Sequence, residues 1–595
     1  MTADGDPIPG DGGPVGLALT GGGLKAALFH IGVLARLAEL DLLRQVDVIS
    51  ATSGGALVAA LYHLRLKNAL DADGDIDSDR LIRLVSALEQ DFLTKVQTDL
   101  RARLFENPLI NLKRAARHQS SARRLGDLLD RHLFRPVWNG DPDWPIEMRA
   151  IAIQPRGDQD FNPITDNRKR YCKAPALVVN AAVLGAGRAW RFDAERMGQP
   201  VSPPAARRLC TAPRLAESPY RHLPEAHAGI TLGHAVAASM AAPGLLEPFR
   251  LQGLYPDPEQ PKANLDVQLA DGRPVDAFGA DALIDRGCMR LIISDGDGHD
   301  ARSNGAFGRA RALQLTALET ARPGGVVLIH MLREIEAPEI TPHGPIKHGR
   351  LACDRSDDDI TSYGIGRGLQ KTIAAMRADL DAPSETEAMS LMADGYLITK
   401  RTFQQQRQRG LSWTDTLPQN ADHWRFIPMI DAFSAPSNKL VKHLEAARFG
   451  MFEAPRLKAS QAFSLGLLAL AAALTMIALA AFWSAFRPAA DADRLWLLTT
   501  TGVLMLSAWL AGRYLGRSTA EGRIAAWIAP WRAIVTALPL ALGARLRRRA
   551  SRAFLKAGRL KKIGIKPLKI EKRKDEPPKR RTPEAAARHA ERKAA

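Results

Sequence analysis

The chain has 595 residues with 82 Lys and Arg against 64 Asp and Glu, a formal net charge of +18. That length exceeds what one ordinary core supports, so about two to four domains are expected. The charge suggests a nucleic-acid binder until it is located: residues 543–595 hold 20 basic and 5 acidic side chains, a net +15, and the body before them is nearly neutral.

The four cysteines, Cys172, Cys210, Cys288 and Cys353, have no metal-like spacing, and no apolar signal segment precedes Gly12. A reducing cytosolic environment, with no metal and no other cofactor, is the expectation for the main body.

The first element is a buried strand, "VGLAL" at 15–19, followed by the turn Gly21-Gly22-Gly23-Leu24-Lys25 and a helical pattern. A glycine-rich turn feeding a helix presents unpaired N–H groups that suit either phosphate or the oxyanion of a reacting ester. A Walker loop is excluded because Lys25 follows Gly23 too closely and Ala26 stands where a hydroxyl is needed; a dinucleotide loop lacks its third glycine. The oxyanion reading requires a nucleophile nearby.

A second strand, "VDVIS" at 46–50, runs into Ala51-Thr52-Ser53-Gly54-Gly55 and the apolar helical run "ALVAALYHL". A serine between small residues on a strand-to-helix turn is a nucleophile elbow, and Ser53 is the nucleophile candidate. The competing reading is an ordinary helix N-cap serine. The glycine turn lies one strand–helix unit earlier, so adjacent parallel strands bring both turns to one sheet edge.

Helical spacing of Leu81, Leu84, Leu88, Phe92, Val96 and Leu100 marks a cap-like insertion over about 68–144. Its basic part, from Leu109, reads as a solvated helix face or as a surface for anionic lipid. Further strands are expected at 177–184, 291–294 and 325–332. Between them lies "LADGRPVDAFGADAL", where Asp271 and Asp276 are candidates for a base or for turn residues. His222, His227 and His234 sit in no recognisable motif and read as structural. More helix follows over 357–442, with a capping box from Ser384 to Glu387.

The uncharged apolar run 462–486 spans roughly 37 Å as a helix, enough to cross a hydrocarbon core of roughly 30 Å. A second run at 495–512 is separated from it by a charge-balanced link, and the outer flanks are positive, which predicts a hairpin with both ends in the cytoplasm. The stretch 524–542, broken by Pro530 and Pro539, reads equally as interfacial, re-entrant or spanning.

Together the G-G-G-x-[RK] turn at Gly21 to Lys25, the "ATSGG" elbow, Asp271-Gly272, "AVAASMAAPGLLEPF" from Ala235 and "NAAVLGAGRAWRF" from Asn180 resemble the patatin-like phospholipase family, here of a bacterial type with C-terminal membrane segments. Coverage is roughly residues 15–300, with weaker similarity at 377–396. The resemblance implies an α/β patatin-like layered domain with a central, mostly parallel sheet and helical insertions. It implies a Ser-Asp dyad, with Asp271 taking the proton of Ser53 and backbone amides of Gly21, Gly22, Gly23, Leu24 and Lys25 holding the oxyanion. The expected activity is hydrolysis of acyl esters of phospholipids or other lipids.

Three positions depart from the family's pattern: Ala51 and Ala26 replace glycine, and Arg273 stands beside the proposed base, where its cation would lower the carboxylate's basicity. The expected organisation is a flexible start at 1–14, a catalytic domain at 15–335, a helical extension at 336–455, a membrane hairpin at 460–516 and an interfacial, basic tail at 517–595. The expected partners are a phospholipid or other acyl lipid and anionic headgroups met by the tail, not nucleic acid. The expected location is a membrane, in a bacterium the inner one, with the head cytoplasmic. The alternative is a catalytically silent patatin-like scaffold.

Overall fold

The computed structural model describes residues 13–111, 119–200, 215–256, 264–298, 306–332, 359–413, 424–448 and 541–568, apart from single positions and short gaps within these ranges. The candidate spans 462–486 and 495–512, and 524–542 except Ala541, lie outside the described residues. Among the described residues no helix is long and apolar enough to cross a membrane.

Among the described residues, ten strands form one mixed sheet. Its parallel centre runs β10 (Val326–His330), β9 (Arg290–Asp295), β1 (Val15–Leu19), β2 (Val46–Thr52), β3 (Ala176–Val183). An antiparallel flank of β4 (Arg188–Phe192), β5 (Arg196–Gly198) and β6 (Ser218–Pro219) follows, and β8 (Asn264–Asp271) joins β3 to β7 (Phe249–Pro256). The continuous apolar runs are the parallel strands, as covering on both faces requires. Leu17, Ile49, Val179 and Ile292 point into the large core, while Ala18, Val48, Val178 and Ile293 point into a smaller one under α7 (Ala280–Asp285) and α8 (Ala306–Ala321).

On the large-core face lie α1 (Gly23–Glu39), α2 (Gly54–Asp73) and α3 (Ser78–Val96). Beyond them α4 (Leu100–Phe105) and α5 (Ser121–Leu129) occupy the expected helical insertion. Every residue of α1 after Gly23 is buried, the mark of a helix covered all round. Its outer partner is α10 (Glu385–Gln408), which opens on the predicted capping box. The two helices pass backbone against backbone: a Cβ on Gly32 would stand 1.8 Å from the Met392 carbonyl oxygen, and one on Gly395 2.2 Å from that of Phe29. Residues 385–408 thus share a core with the part that carries the candidate site.

The chain returns to this body after the undescribed stretch 449–540. The Phe554 ring stacks on His443 at 4.3 Å and 10°. The Gly558 carbonyl accepts from the N–H and Oγ1 of Thr386 at 2.9 and 2.8 Å. Arg547 pairs with Asp379, at 3.6 Å, and with Asp381, and Arg548 pairs with Glu106. Arg547 and Arg548 of the basic tail are thus paired with acidic side chains of the body.

Candidate active site

β2 ends at Thr52 and α2 begins at Gly54, so the whole reversal falls on Ser53, whose φ of 52° and ψ of −120° are strained for a residue with a Cβ. The strain is held by a relay: the Ser53 N–H donates to Ser239 Oγ at 2.7 Å, and that hydroxyl donates to the Asn180 carbonyl at 2.5 Å. Gly54 and Gly55 are required by contact, since a Cβ would lie 1.9 Å from the Gly23 carbonyl oxygen and 2.2 Å from that of Leu19. The elbow and the glycine turn press directly on each other, as adjacent parallel strands predict.

The register of β3 joins the candidate nucleophile and the candidate base. Asn180 is the last β3 residue paired with β2, opposite Thr52, and the next residue, Ala181, pairs with Asp271 at the end of β8. β8 takes over the edge of β3 where β2 leaves it, so the residue after Thr52 and the residue opposite Ala181 open onto one pocket. Ser53 and Asp271 both line it, each with only a few per cent of its surface exposed.

The Asp271 N–H donates to the Ala241 carbonyl at 3.1 Å, which ties the base to the turn after α6 (Leu232–Ser239). Its carboxylate is used unevenly. Oδ1 accepts from the N–H and Nε of Arg273 at 3.0 and 3.2 Å, while Oδ2 is buried with no hydrogen-bond partner among the described residues. Arg273 extends on to Asp297 Oδ1 at 2.9 Å. Burial opposes the guanidinium's charge, but the two aspartates outweigh it and raise its pKa.

The five residues of the glycine turn separate in space. A Cβ on Gly21 would meet Arg273 Cδ at 2.6 Å and Ser53 Cβ at 2.9 Å; one on Gly22, at φ 145°, would meet Ala26 Cβ at 2.9 Å. Gly23 lines the pocket. The Leu24 N–H donates to the Asp379 carbonyl at 3.0 Å and is committed there. Lys25 is buried, its Nζ donating to the carbonyls of Asp297 at 2.5 Å and Ala374 at 3.0 Å; burial brings its pKa down to about 8, against Asp297 and with Arg273. Ala26 in place of glycine is accommodated inside α1, fully buried.

The pocket's outer wall is apolar, with Phe105, Met240, Leu245, Leu246 and Leu380, and carries Arg101 and Asp379. Among the described residues no histidine lines it. His234 pairs with Asp127 at 3.0 Å and His227 bonds the Gln252 carbonyl at 2.7 Å, both structural roles. Asp276 accepts from the N–H groups of Ala280 and Asp281 at 3.2 and 3.0 Å and so caps α7; it is not part of the pocket. Sequence reasoning assigned no role to Ser239 or Asn180, although both lie in segments that carry the family resemblance, 235–249 and 180–192. Among the described residues no group of three or more His, Cys, Asp or Glu is placed to hold a metal.

A layered α/β fold with a strained serine at a strand–helix turn, glycine amides against it and a carboxylate on the neighbouring edge has the architecture of an ester hydrolase. Residues 17–284 match the family model Patatin-like phospholipase, and this part of the chain is a patatin-like phospholipase domain. Among solved structures, human GIVD cytosolic phospholipase A2 is 13% identical with a TM-score of 0.37, over 69% of this chain and 61% of that one. The same enzyme with methyl gamma-linolenyl fluorophosphonate is 15% identical with a TM-score of 0.33, over 69% and 59%. VipD from Legionella pneumophila is 12% identical with a TM-score of 0.24, over 93% and 89%. This chain spans about three-fifths of the length of the phospholipase A2 chain. No curated protein matches it.

Proposed function

We propose that the protein is a membrane-anchored serine–aspartate lipid acyl hydrolase of the phospholipase A or lysophospholipase type, acting on acyl esters at the cytoplasmic leaflet. The observation that carries this reading is the β3 register, which brings Ser53 and Asp271 to the lining of one apolar-walled pocket.

In this reading Ser53 Oγ attacks the ester carbonyl carbon and its proton passes to Asp271 Oδ2. The developing oxyanion is met by N–H groups of the Gly22–Gly23 turn at the start of α1, where the helix dipole adds to their pull. Collapse breaks the ester C–O bond, the leaving alkoxide takes the proton from Asp271, and water then hydrolyses the acyl-serine by the same steps in reverse order. Phe105, Leu245 and Leu246 supply an apolar wall for the acyl chain.

The membrane part rests on the composition of 462–486 and 495–512. A hairpin is further supported by the contacts of 544–568 with the body, since the chain must leave and rejoin one face. That requires an even number of crossings.

One observation favours a silent scaffold: the Arg273 contact to Asp271. A fluorophosphonate probe decides between the two. Labelling of Ser53, with release of fatty acid from mixed vesicles that is lost in Ser53→Ala, is the expected result. Folded protein that neither labels nor releases fatty acid supports the scaffold.

A further inference from the structure

Arg273 contacts the candidate base, and the dyad chemistry does not require it. Its backbone N–H and Nε both engage Oδ1 of Asp271, and its Nη1 reaches Oδ1 of Asp297. Its Cδ lies 2.6 Å from where a Gly21 Cβ would stand, a point that is itself 2.9 Å from Ser53 Cβ, so its stem fills the space beside the elbow. Asp297 is anchored in turn. Its Oδ2 lies 3.4 Å from Nη1 of the buried Arg311, its carbonyl accepts Lys25 Nζ, and its Cα packs 3.3 Å from the Gly22 Cβ position.

We infer that Arg273 and Asp297 form a positioning couple: Arg273 clamps Oδ1 of Asp271 so that Oδ2 alone is presented to Ser53, and Asp297 holds the guanidinium in place and offsets its charge. This rests on the hydrolase reading above.

Two geometric facts separate this role from that of a brake. A cation that disables a carboxylate competes for the oxygen that accepts the proton, yet both Arg273 contacts fall on the same oxygen and leave the other bare. Moreover, the guanidinium divides its donors between two carboxylates, so its charge is shared. A fork with fixed geometry can do this; a lysine ammonium, a point charge on a flexible stem, cannot hold both partners in register. Of the other charged groups, Arg101 of α4 and Asp379 of the loop before α10 line the same pocket as Asp271, while Lys25 of α1 and Arg311 of α8 lie against Asp297.

The test uses the full-length protein with a short soluble ester and a fluorophosphonate probe, in wild type, R273K, R273Q and D297N, each checked for folding by thermal melting. R273Q is expected to lose about 100-fold in kcat with KM changed by less than about twofold, as a misaligned base predicts. R273K is expected between R273Q and wild type. The pH profile of kcat/KM supplies a sign that a packing defect does not produce. Without the cation the base is protonated more readily, so the acid limb moves to higher pH in R273Q. In D297N the undivided cation acts on Asp271, so the limb moves to lower pH.

Wild-type kcat, or an increase, in R273Q with an unmoved acid limb overturns the positioning role. So do shifts of the same sign in R273Q and D297N. Should R273Q fail to fold, R273K and D297N still test the role: wild-type kcat in R273K together with an unmoved acid limb in D297N overturns it. Failure of the hydrolase reading is distinct: wild type itself neither labels nor turns over.

Discussion

Ser53 sits in a backbone conformation that costs about 1–3 kcal/mol for a residue with a Cβ, and its hydroxyl owes its exposure to the pocket to that geometry. Ser53→Ala and Asp271→Asn are each expected to lower ester hydrolysis by about 1,000-fold or more while melting stays near wild type, because members of one unit fail together. Asp276→Asn gives the opposite pattern: turnover within about twofold and a lower melting temperature, since a cap is typically worth about 1 kcal/mol. An essential Asp276 and a dispensable Asp271 would reverse the base assignment. Ser239→Ala removes the acceptor of the Ser53 N–H and leaves that donor buried, at about 1–3 kcal/mol. Turnover of a soluble ester is expected to fall about tenfold with KM little changed. Ser53 was legible because an elbow announces itself locally. Ser239 was not, because its role depends on a residue 186 positions away.

Between elements, the decisive contact is that of the α1 and α2 N-termini. Gly54→Ala places a Cβ where the Gly23 carbonyl oxygen stands, and this neighbour is backbone that cannot rotate away. The variant is expected to lose both probe labelling and several degrees of melting temperature. A second element contact carries a pH signature. Glu89 on α3 is buried with Oε1 unpartnered, and burial pushes its pKa up to about 8 against the help of the Arg425 N–H at 3.3 Å. The folded state keeps a proton that the unfolded chain has released. This contribution to stability is full below the unfolded carboxyl's range near 4.5 and is lost as pH rises to about 8. Melting temperature should fall across that window, and Glu89→Gln should flatten the fall; an equally steep fall in the variant would place its origin elsewhere.

At the scale of the whole molecule, the described C-terminal segment belongs to the catalytic body. Phe554, Leu560 and Ile563 are buried, and Arg547 holds Asp379, whose carbonyl in turn fixes the Leu24 amide beside the glycine turn. From sequence alone, a chain ending near Arg456 reads as a soluble, active head. With these contacts known, that chain is expected to melt lower and to label more slowly, because it uncovers the surface around His443. Deleting only 569–595 should leave melting, labelling and membrane retention unchanged. In sealed vesicles of known orientation, protease and cysteine-labelling reagents should reach the head and residues 544–568 from the same side. Access from opposite sides would overturn the hairpin.

What the sequence by itself determined is local: the parallel strands as unbroken apolar runs, the capping box of α10, and the elbow and glycine turn as neighbouring strand–helix junctions. Asp271 was reached through family resemblance, since an Asp-Gly pair after a strand is also an ordinary turn. Only the tertiary structure decided that β8 inherits the edge of β3 from β2, that Arg273 takes one carboxylate oxygen and leaves the other, and that Arg547, Phe554 and Gly558 return to the body. The physical reason is range. Helix periodicity, capping and strand burial are set by residues a few positions apart. Strand order, shared ion pairs and the docking of a distant segment are set by which surfaces meet once the core closes, and one sequence, read along its length, does not encode that separately.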